Sequence, residues 1–181
     1  NHFATVFKEK EINFSGHVIS KKGYVQRELK DYLKADWEQI ANHGANYIAF
    51  HIPEGSKLTL DNLNASFLEA NAFFNKYLPE FQYQLFGTDS WIFDDQIAEY
   101  LPESNIAKFQ QCVHLLPIKN GNDEQFKERV FGDPKFDISN ANPITQLQKI
   151  GVQHIKAGKV WRKKSFVLYK NDIPLKRKLN T

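Results

Sequence analysis

A short apolar run that leads through a tight turn into a long helical pattern constrains the fold of this chain most. Residues 45–52, ANYIAFHI, are so continuously apolar that they predict a central strand covered on both faces. The next residues, PEGSK, contain the proline and glycine of a turn. Apolar side chains then recur at helical spacing, and Thr59 is placed to cap a helix over residues 60–77. This succession indicates a sheet with helices on its faces.

Strand and helix patterns alternate along the rest of the chain. Strands are predicted at 12–20, 24–29, 82–93, 113–119 and 161–171, and helices at 34–44, 95–101, 105–113 and 145–158. Residues 126–132 fit either a strand or a short helix, and Asp94 and Asp95 are placed to cap the helix that follows them. The alternation predicts an α/β (α+β) fold with a mixed sheet.

Length and composition exclude several classes of protein. A chain of 181 residues favours a single domain, here residues 1–181. No apolar run approaches the roughly 20 residues of a membrane span, and the first residues lack the pattern of a secretory signal, so a cytoplasmic location is predicted. The single cysteine, Cys112, excludes an internal disulfide and a cysteine-based zinc site, and we expect it in the core.

Positive charge is concentrated at the C-terminal end. From Lys156 onward, nine Lys or Arg and one acid give +8, so the remainder of this +3 chain carries −5. One interpretation of the basic end, residues 159–181, is a site for phosphate or an anionic partner. The favoured interpretation is a solvated edge strand kept soluble by lysines, in which Trp161 and Phe166 alternate with charge. Because the segment lacks a stacking platform of aromatic residues, nucleic-acid binding is the least supported class of function.

Two strand-to-helix junctions are the remaining candidate sites. The sequence contains no standard nucleotide, hydrolase or metal motif, and no two of the six histidines share a helix face. Amides at the start of the 60–77 helix favour a phosphate, although an ordinary connecting loop explains the same residues. At the second junction Ser104 is a ready helix cap, which leaves the side chain of Asn105 available to a ligand. The alternative is that both residues satisfy the helix start.

Four segments carry a family resemblance: HIPEGSKLT, NASFLEANAFFNKYLPEF, DSWIFDDQIAEYLPESNIAKFQQCV and TQLQKIGVQHIKAG. In this order and spacing they resemble the GNAT-like C-terminal domain of bacterial acyltransferase-type proteins, from about residue 11 to residue 168. The resemblance implies a GNAT-like mixed, mostly antiparallel sheet flanked by helices. Its central strands would separate to admit the pantetheine arm of acyl-CoA or acetyl-CoA, and no metal is implied.

The implied activity is transfer of an acyl group from a CoA thioester to an amine or hydroxyl of a small-molecule acceptor. The candidate general bases are His51 and Glu54, because the imidazole side chain ordinarily titrates near neutral pH. The predicted cofactor-binding residues are Phe50, Ile52, Gly55, Ser56, Lys57 and Asn105. The predicted acceptor-binding residues are Asp89, Ser90 and Trp91.

The sequence departs from the family pattern at two positions. Phe109 stands about where GNAT enzymes often carry a tyrosine that acts as an acid, and the loop EGSK has one glycine in place of a glycine-rich run. Family members usually carry a further region ahead of this domain, so we expect an N-terminal region or a companion chain to complete the site. The alternative function is a non-catalytic GNAT-shaped module that binds an acyl-CoA-like ligand or a partner protein.

Overall fold

The strands form two separate sheets. The computed structural model describes residues 3–117 and 121–176. Strands β1 (Phe7–Glu9), β2 (Asn13–Ile19) and β3 (Val25–Leu33) form an antiparallel sheet in that order. Strands β4 (Tyr47–Ala49), β5 (Leu85–Ser90), β6 (His114–Leu116) and β7 (Lys164–Tyr169) form a mixed sheet in the order β4-β5-β7-β6. Among the described strands, only β4 and β5 pair in parallel. The predicted mixed, mostly antiparallel class is confirmed, with two sheets instead of one.

Five α-helices are described: α1 (Leu60–Tyr77), α2 (Gln96–Tyr100), α3 (Asn105–Cys112), α4 (Glu124–Phe131) and α5 (Gln146–Lys156). The side chains of Thr59, Ser104 and Thr145 each accept a backbone N–H at the starts of α1, α3 and α5. These starts were predicted correctly. Helix α4 decides the open alternative at 126–132 in favour of a helix.

Two clusters of buried side chains make up the core. The larger is built on phenylalanine rings from α1, α3 and the four-stranded sheet, and Cys112 is buried in it as predicted. The smaller cluster, between α2, α4 and α5, contains Phe126 stacked on Trp161 at a centroid distance of 4.8 Å. Over the described ranges, every helix is too short or too polar to cross a bilayer. The cytoplasmic location stays a prediction.

The predicted helix at 34–44 is wrong. These residues form turns and irregular backbone, and the side chain of Trp37 is 55% exposed. A short amphipathic segment becomes a stable helix only when its apolar face is buried against other elements. Here Trp37 contacts the ring of Tyr32 at the end of β3 and reaches neither core cluster.

Two predicted strand positions are also wrong. β4 is a three-residue strand at the sheet edge, with Tyr47 56% exposed, and so it is not a central strand covered on both faces. β7, predicted at the edge, lies between β5 and β6, with Trp161 and Phe166 buried. Residues 118 and 119 of the predicted strand 113–119, and the last five residues of the basic end, lie outside the described ranges.

A buried histidine lies beside the smaller cluster. His154 of α5 is fully buried, stacks on Trp161 at 4.0 Å between ring centroids, and places Nδ1 3.0 Å from the hydroxyl of Tyr100. Its Nε2 has no hydrogen bond of normal geometry to a described residue, although the Val160 carbonyl is near enough to affect the imidazole. Burial lowers the pKa of His154 below the ordinary value, although the Val160 carbonyl and nearby carboxylates oppose this effect.

We therefore expect acidification to destabilise the protein through His154. Because its pKa is lower in the folded chain, the unfolded chain binds the proton more readily, and stability falls as the pH drops below about 6.5 toward the folded pKa. Urea unfolding at pH 7.5 and 5.5 should give a lower midpoint at pH 5.5, with a smaller difference in His154→Gln. Equal pH dependence in the two proteins would contradict this assignment.

Candidate functional site

The end of β4 is the point at which two paired strands separate. β4 and β5 run parallel over three residue pairs, and the Phe50 N–H then donates to the Gly87 carbonyl oxygen at 2.9 Å. Beyond Gly87, β5 pairs only with β7 among the described strands. From His51 the chain turns into the loop before α1. β4 and β5 are therefore hydrogen-bonded as far as Phe50, and their pairing ends there.

A pocket of about 270 Å³ lies where β4 ends and α1 begins. Its wall brings together five of the residues predicted for the cofactor or the chemistry: Phe50, His51, Ile52, Ser56 and Lys57. Asn62 and Ser66, on the first two turns of α1, also line it. The volume is slightly below the usual range for small-molecule sites, so the pocket has room for only part of a ligand.

Hydrogen bonds within the loop fix its path into α1. The Ser56 N–H donates at 3.2 Å to the carbonyl three residues earlier, and Gly55 has a φ of +76°, which favours glycine. The Thr59 hydroxyl accepts from the Asn62 N–H at 3.3 Å, and the Asn62 side-chain amide donates to the Lys57 carbonyl at 3.0 Å. The pocket thus lies at a helix N-terminus, where backbone amides and the helix dipole favour an anion.

The two candidate bases differ in position. Both side chains are exposed, but His51 lines the pocket and Glu54 does not. No hydrogen bond or ion pair joins either side chain to another residue in the described ranges. Catalytic bases are usually oriented by a partner group, so a ligand or a further polypeptide would have to orient this imidazole.

The residues predicted for the acceptor lie at the end of β5, outside this pocket. Asp89 forms an ion pair with Lys163, and the Ser90 hydroxyl accepts weakly from the Ile92 N–H at 3.5 Å. The ring of Trp91 packs edge-on against a phenylalanine of α4 at a centroid distance of 5.2 Å. Each of the three therefore has a structural contact of its own.

Asn105 begins α3 and has an exposed side chain outside the pocket. The Ser104 hydroxyl accepts from the Ala107 N–H at 3.1 Å, so Ser104 is the cap and the Asn105 side chain is not needed for it. Phe109 on the same helix is buried and lies 6.1 Å from the ring of Phe50. Phe109 is thus a core residue that links α3 to the end of β4.

A buried group of ion pairs, which the sequence analysis missed, joins the segment before β7 to the start of α2. The Arg162 guanidinium donates to the carboxylates of Asp94 and Asp95 at 2.9 and 3.1 Å. Lys164 donates to Asp95 and, at 2.7 Å, to a carbonyl in the turn between β2 and β3. The Tyr24 hydroxyl donates to Asp95 at 3.1 Å. This aspartate–cation cluster therefore links the two sheets.

Burial and pairing act against each other on the pKa values of the cluster. Burial lowers the pKa of Arg162, but the hydrogen bond and charge of Asp94 outweigh it, and the pKa is raised. Burial also lowers the pKa of Lys164, and Asp95 opposes this only in part, so the pKa stays below its ordinary value. Burial raises the pKa of the Tyr24 hydroxyl. The aspartate pair and the cations around Trp161 are each visible in the sequence, but neither indicates the other as its partner.

Metal ligands are not grouped in the described ranges. Within residues 3–117 and 121–176, no three His, Cys, Asp or Glu side chains lie close enough to hold an ion together.

Solved structures with a similar fold are acyltransferases, and this chain covers less than half of the length of each of them. An acyltransferase in complex with CoA and 10C-teicoplanin is 24% identical, with a TM-score of 0.65, over 71% of this chain and 42% of its own. A second, in complex with decanoyl-CoA, is 23% identical, with a TM-score of 0.64, over 90% of this chain and 46% of its own. A third, with decanoyl-CoA and teicoplanin, is 20% identical with a TM-score of 0.61. At these identities the likeness establishes the fold.

The family is established by the sequence itself. No curated protein matches the chain. The family model described as the GNAT-like C-terminal domain matches residues 3–168, which is most of the 181 residues. The match begins about eight residues before the segment in which the sequence analysis identified the resemblance. The chain therefore belongs to the family of GNAT-like C-terminal domains.

Proposed function

We propose that this chain is the CoA-binding part of an acyl-CoA-dependent acyltransferase, which moves an acyl group from a CoA thioester to an amine or hydroxyl. The observation that carries the proposal is the end of β4–β5 pairing at Phe50, beside a pocket at the start of α1. The family membership supports it, as do the CoA and decanoyl-CoA held by the solved acyltransferases of similar fold.

In this proposal the CoA lies along the pocket wall. Phe50 and Ile52 flank the pantetheine arm, and the backbone beyond the last β4–β5 hydrogen bond receives the thioester. Ser56 and Lys57 bind the pyrophosphate with a hydroxyl and an ammonium group, and Gly55 sets the turn that presents them. The side chain of Asn105, on α3, is proposed to make a further contact with the CoA. In many GNAT enzymes, backbone amides of a glycine-rich loop bind the pyrophosphate. In this proposal, side chains take over most of that role.

The acceptor is proposed to approach from the end of β5, where Asp89, Ser90 and Trp91 lie. A small molecule carrying the amine or hydroxyl suits this side, in line with the teicoplanin held by two of the similar acyltransferases. Since this chain spans under half the length of those proteins, the proposal assigns the rest of the acceptor site to further polypeptide.

Binding of CoA is tested by thermal unfolding with and without the ligand. At about 100 times its Kd, CoA should add about 2.7 kcal/mol to the free energy of unfolding. Ser66→Phe, which places a ring in the pocket, should abolish the shift, whereas Ala65→Phe, at an exposed position of α1 outside the pocket, should retain it. Absence of any shift at millimolar CoA would remove the basis of the proposal.

A second candidate function, a non-catalytic module that binds acyl-CoA, is favoured by the position of Phe109. This residue is buried and has no proton to donate, so the chain lacks the tyrosine acid of many GNAT enzymes. Release of free thiol from acetyl-CoA and decanoyl-CoA, measured with a panel of small amines, separates the two candidates. Binding without acceptor-dependent release would favour the module, and release would favour the enzyme.

A further inference from the structure

We propose that β3 is an interface at which two copies of this chain pair to form a symmetric dimer. β3 is a nine-residue edge strand, and no described residue pairs with its outer side. An exposed edge of this length is a template for another strand. A second β3, antiparallel to the first, would join the two N-terminal sheets into one sheet of six strands. This inference is independent of the proposed acyltransferase function.

The backbone of β3 determines which registers are possible. The Lys34 N–H donates to the Ile12 carbonyl and the Ser20 N–H donates to the Tyr24 carbonyl, both toward β2. Between these two hydrogen bonds, β3 contains two residues more than β2. Because two is an even number, the backbone groups at both ends of β3 follow the same alternation. Even-numbered residues at both ends of β3 therefore bond inward, and in the proposed dimer the odd-numbered residues from 25 to 33 present their N–H and C=O groups outward.

A symmetric register centred on Leu29 satisfies this alternation. It pairs Leu29 with Leu29 of the second copy, and Val25 with Leu33, so that outward groups meet outward groups along the strand. Pairing of all nine residues would form up to about ten backbone hydrogen bonds. The side chains of Leu29 and Leu33 are 51% and 52% exposed. In the dimer Leu29 would pack on its counterpart and Leu33 on Val25 of the second copy, with Arg27–Asp31 pairs between them on the same face.

The charges of β3 are self-complementary about the same centre. In the sequence VQRELKDYL, this register places Arg27 opposite Asp31 and Glu28 opposite Lys30 in both directions. Glu28 and Lys30 would form the closer, non-hydrogen-bonded pairs, in which side chains interact most strongly. All four side chains are exposed, although Asp31 also accepts from Ser15. The edge therefore offers two complementary pairs to each copy.

Neighbouring registers are disfavoured by the same charges. A shift by one residue would direct outward backbone groups at inward ones, and a shift by two would place Glu28 against Glu28 or Lys30 against Lys30. Charged residues usually protect an edge strand from pairing. Here they oppose the incorrect registers and complement one, which specifies a dimer instead of open-ended association.

The test is sedimentation velocity across micromolar concentrations of the purified chain and its charge-reversal variants. The wild type should show a monomer–dimer equilibrium. Glu28→Lys and Lys30→Glu should each weaken dimerisation by about tenfold or more, because each creates two like-charge pairs per dimer. The double variant should dimerise again, and an equimolar mixture of the two single variants should form a heterodimer. Lys8→Glu on β1, the opposite edge of the sheet, is the matched control and should dimerise like the wild type.

Circular dichroism on each variant ensures that a loss of dimer is not a loss of fold. A wild-type chain that stays monomeric at every concentration would overturn the proposal. So would a dimer that Glu28→Lys and Lys30→Glu weaken no more than Lys8→Glu does, or a mixture of the two single variants that stays monomeric.

Discussion

Replacing Asp94 with alanine is expected to lower the free energy of unfolding by about 3–5 kcal/mol. The Asp94 side chain is fully buried and accepts four hydrogen bonds, two from Arg162 and two from Gln96, at 2.7 to 3.1 Å. Its removal leaves the buried part of the Arg162 guanidinium without its main counter-charge, and an uncompensated charge away from water is costly. For a chain of this length the loss corresponds to about 10 °C in Tm.

Asp89→Ala is the matched control, since Asp89 also pairs with a cation of the segment before β7. The Asp89 and Lys163 side chains are each about half exposed, so solvent screens the pair and its loss should cost under about 1 kcal/mol. Urea unfolding of the two variants gives the comparison. Equal losses would show that burial does not determine how much the aspartate–cation cluster contributes to the free energy of unfolding.

A double variant separates the pair from the packing around it. Asp94→Leu with Arg162→Met removes both charges and keeps apolar volume, and it should be more stable than Asp94→Leu alone. This expectation follows because a buried charge is most costly when its partner is missing. If the double variant were the less stable of the two, the contribution of Arg162 would lie in contacts other than its pairing with Asp94.

The aspartate–cation cluster also marks the limit of prediction from this sequence. Arg162 and Asp94 are 68 residues apart, and nothing local to either indicates the other. A run of cations is ordinarily solvent-exposed, so the sequence predicted an edge strand where Lys164 is only 2% exposed and β7 is internal. Burial of charge depends on a partner supplied by the tertiary fold.

Features that depend on nearby residues were predictable. The starts of α1, α3 and α5 each depend on a cap and amides within three residues. The candidate pocket was partly predictable for the same reason, because Phe50, Ile52, Ser56 and Lys57 are close in sequence and line one wall. Asn105 and residues 89–91 belong to other elements, and they lie outside it. The helix predicted at 34–44 failed because its apolar side chains, Trp37 and Ile40, stay exposed and join neither described core cluster.

The second large effect is expected in His51→Ala, which should slow acyl transfer by about 10²–10³-fold. His51 lies at the point where β4 leaves β5 and lines the pocket proposed for CoA, which places an imidazole beside the proposed thioester. Without a base, the attacking amine or hydroxyl keeps its proton in the transition state. Acetyl-CoA affinity, from the thermal shift, should change far less, because the pocket keeps its other contacts.

His43→Ala is the control, since His43 is an exposed histidine on the same stretch of chain, outside the pocket, and its loss should leave the rate unchanged.

Glu54→Ala tests the competing assignment. Because the Glu54 side chain does not line the pocket, its loss should slow transfer less than the loss of His51. A large loss in Glu54→Ala with little change in His51→Ala would assign the base to the carboxylate. Unchanged rates in both variants would mean that an acyl group leaves CoA here without a base from this loop.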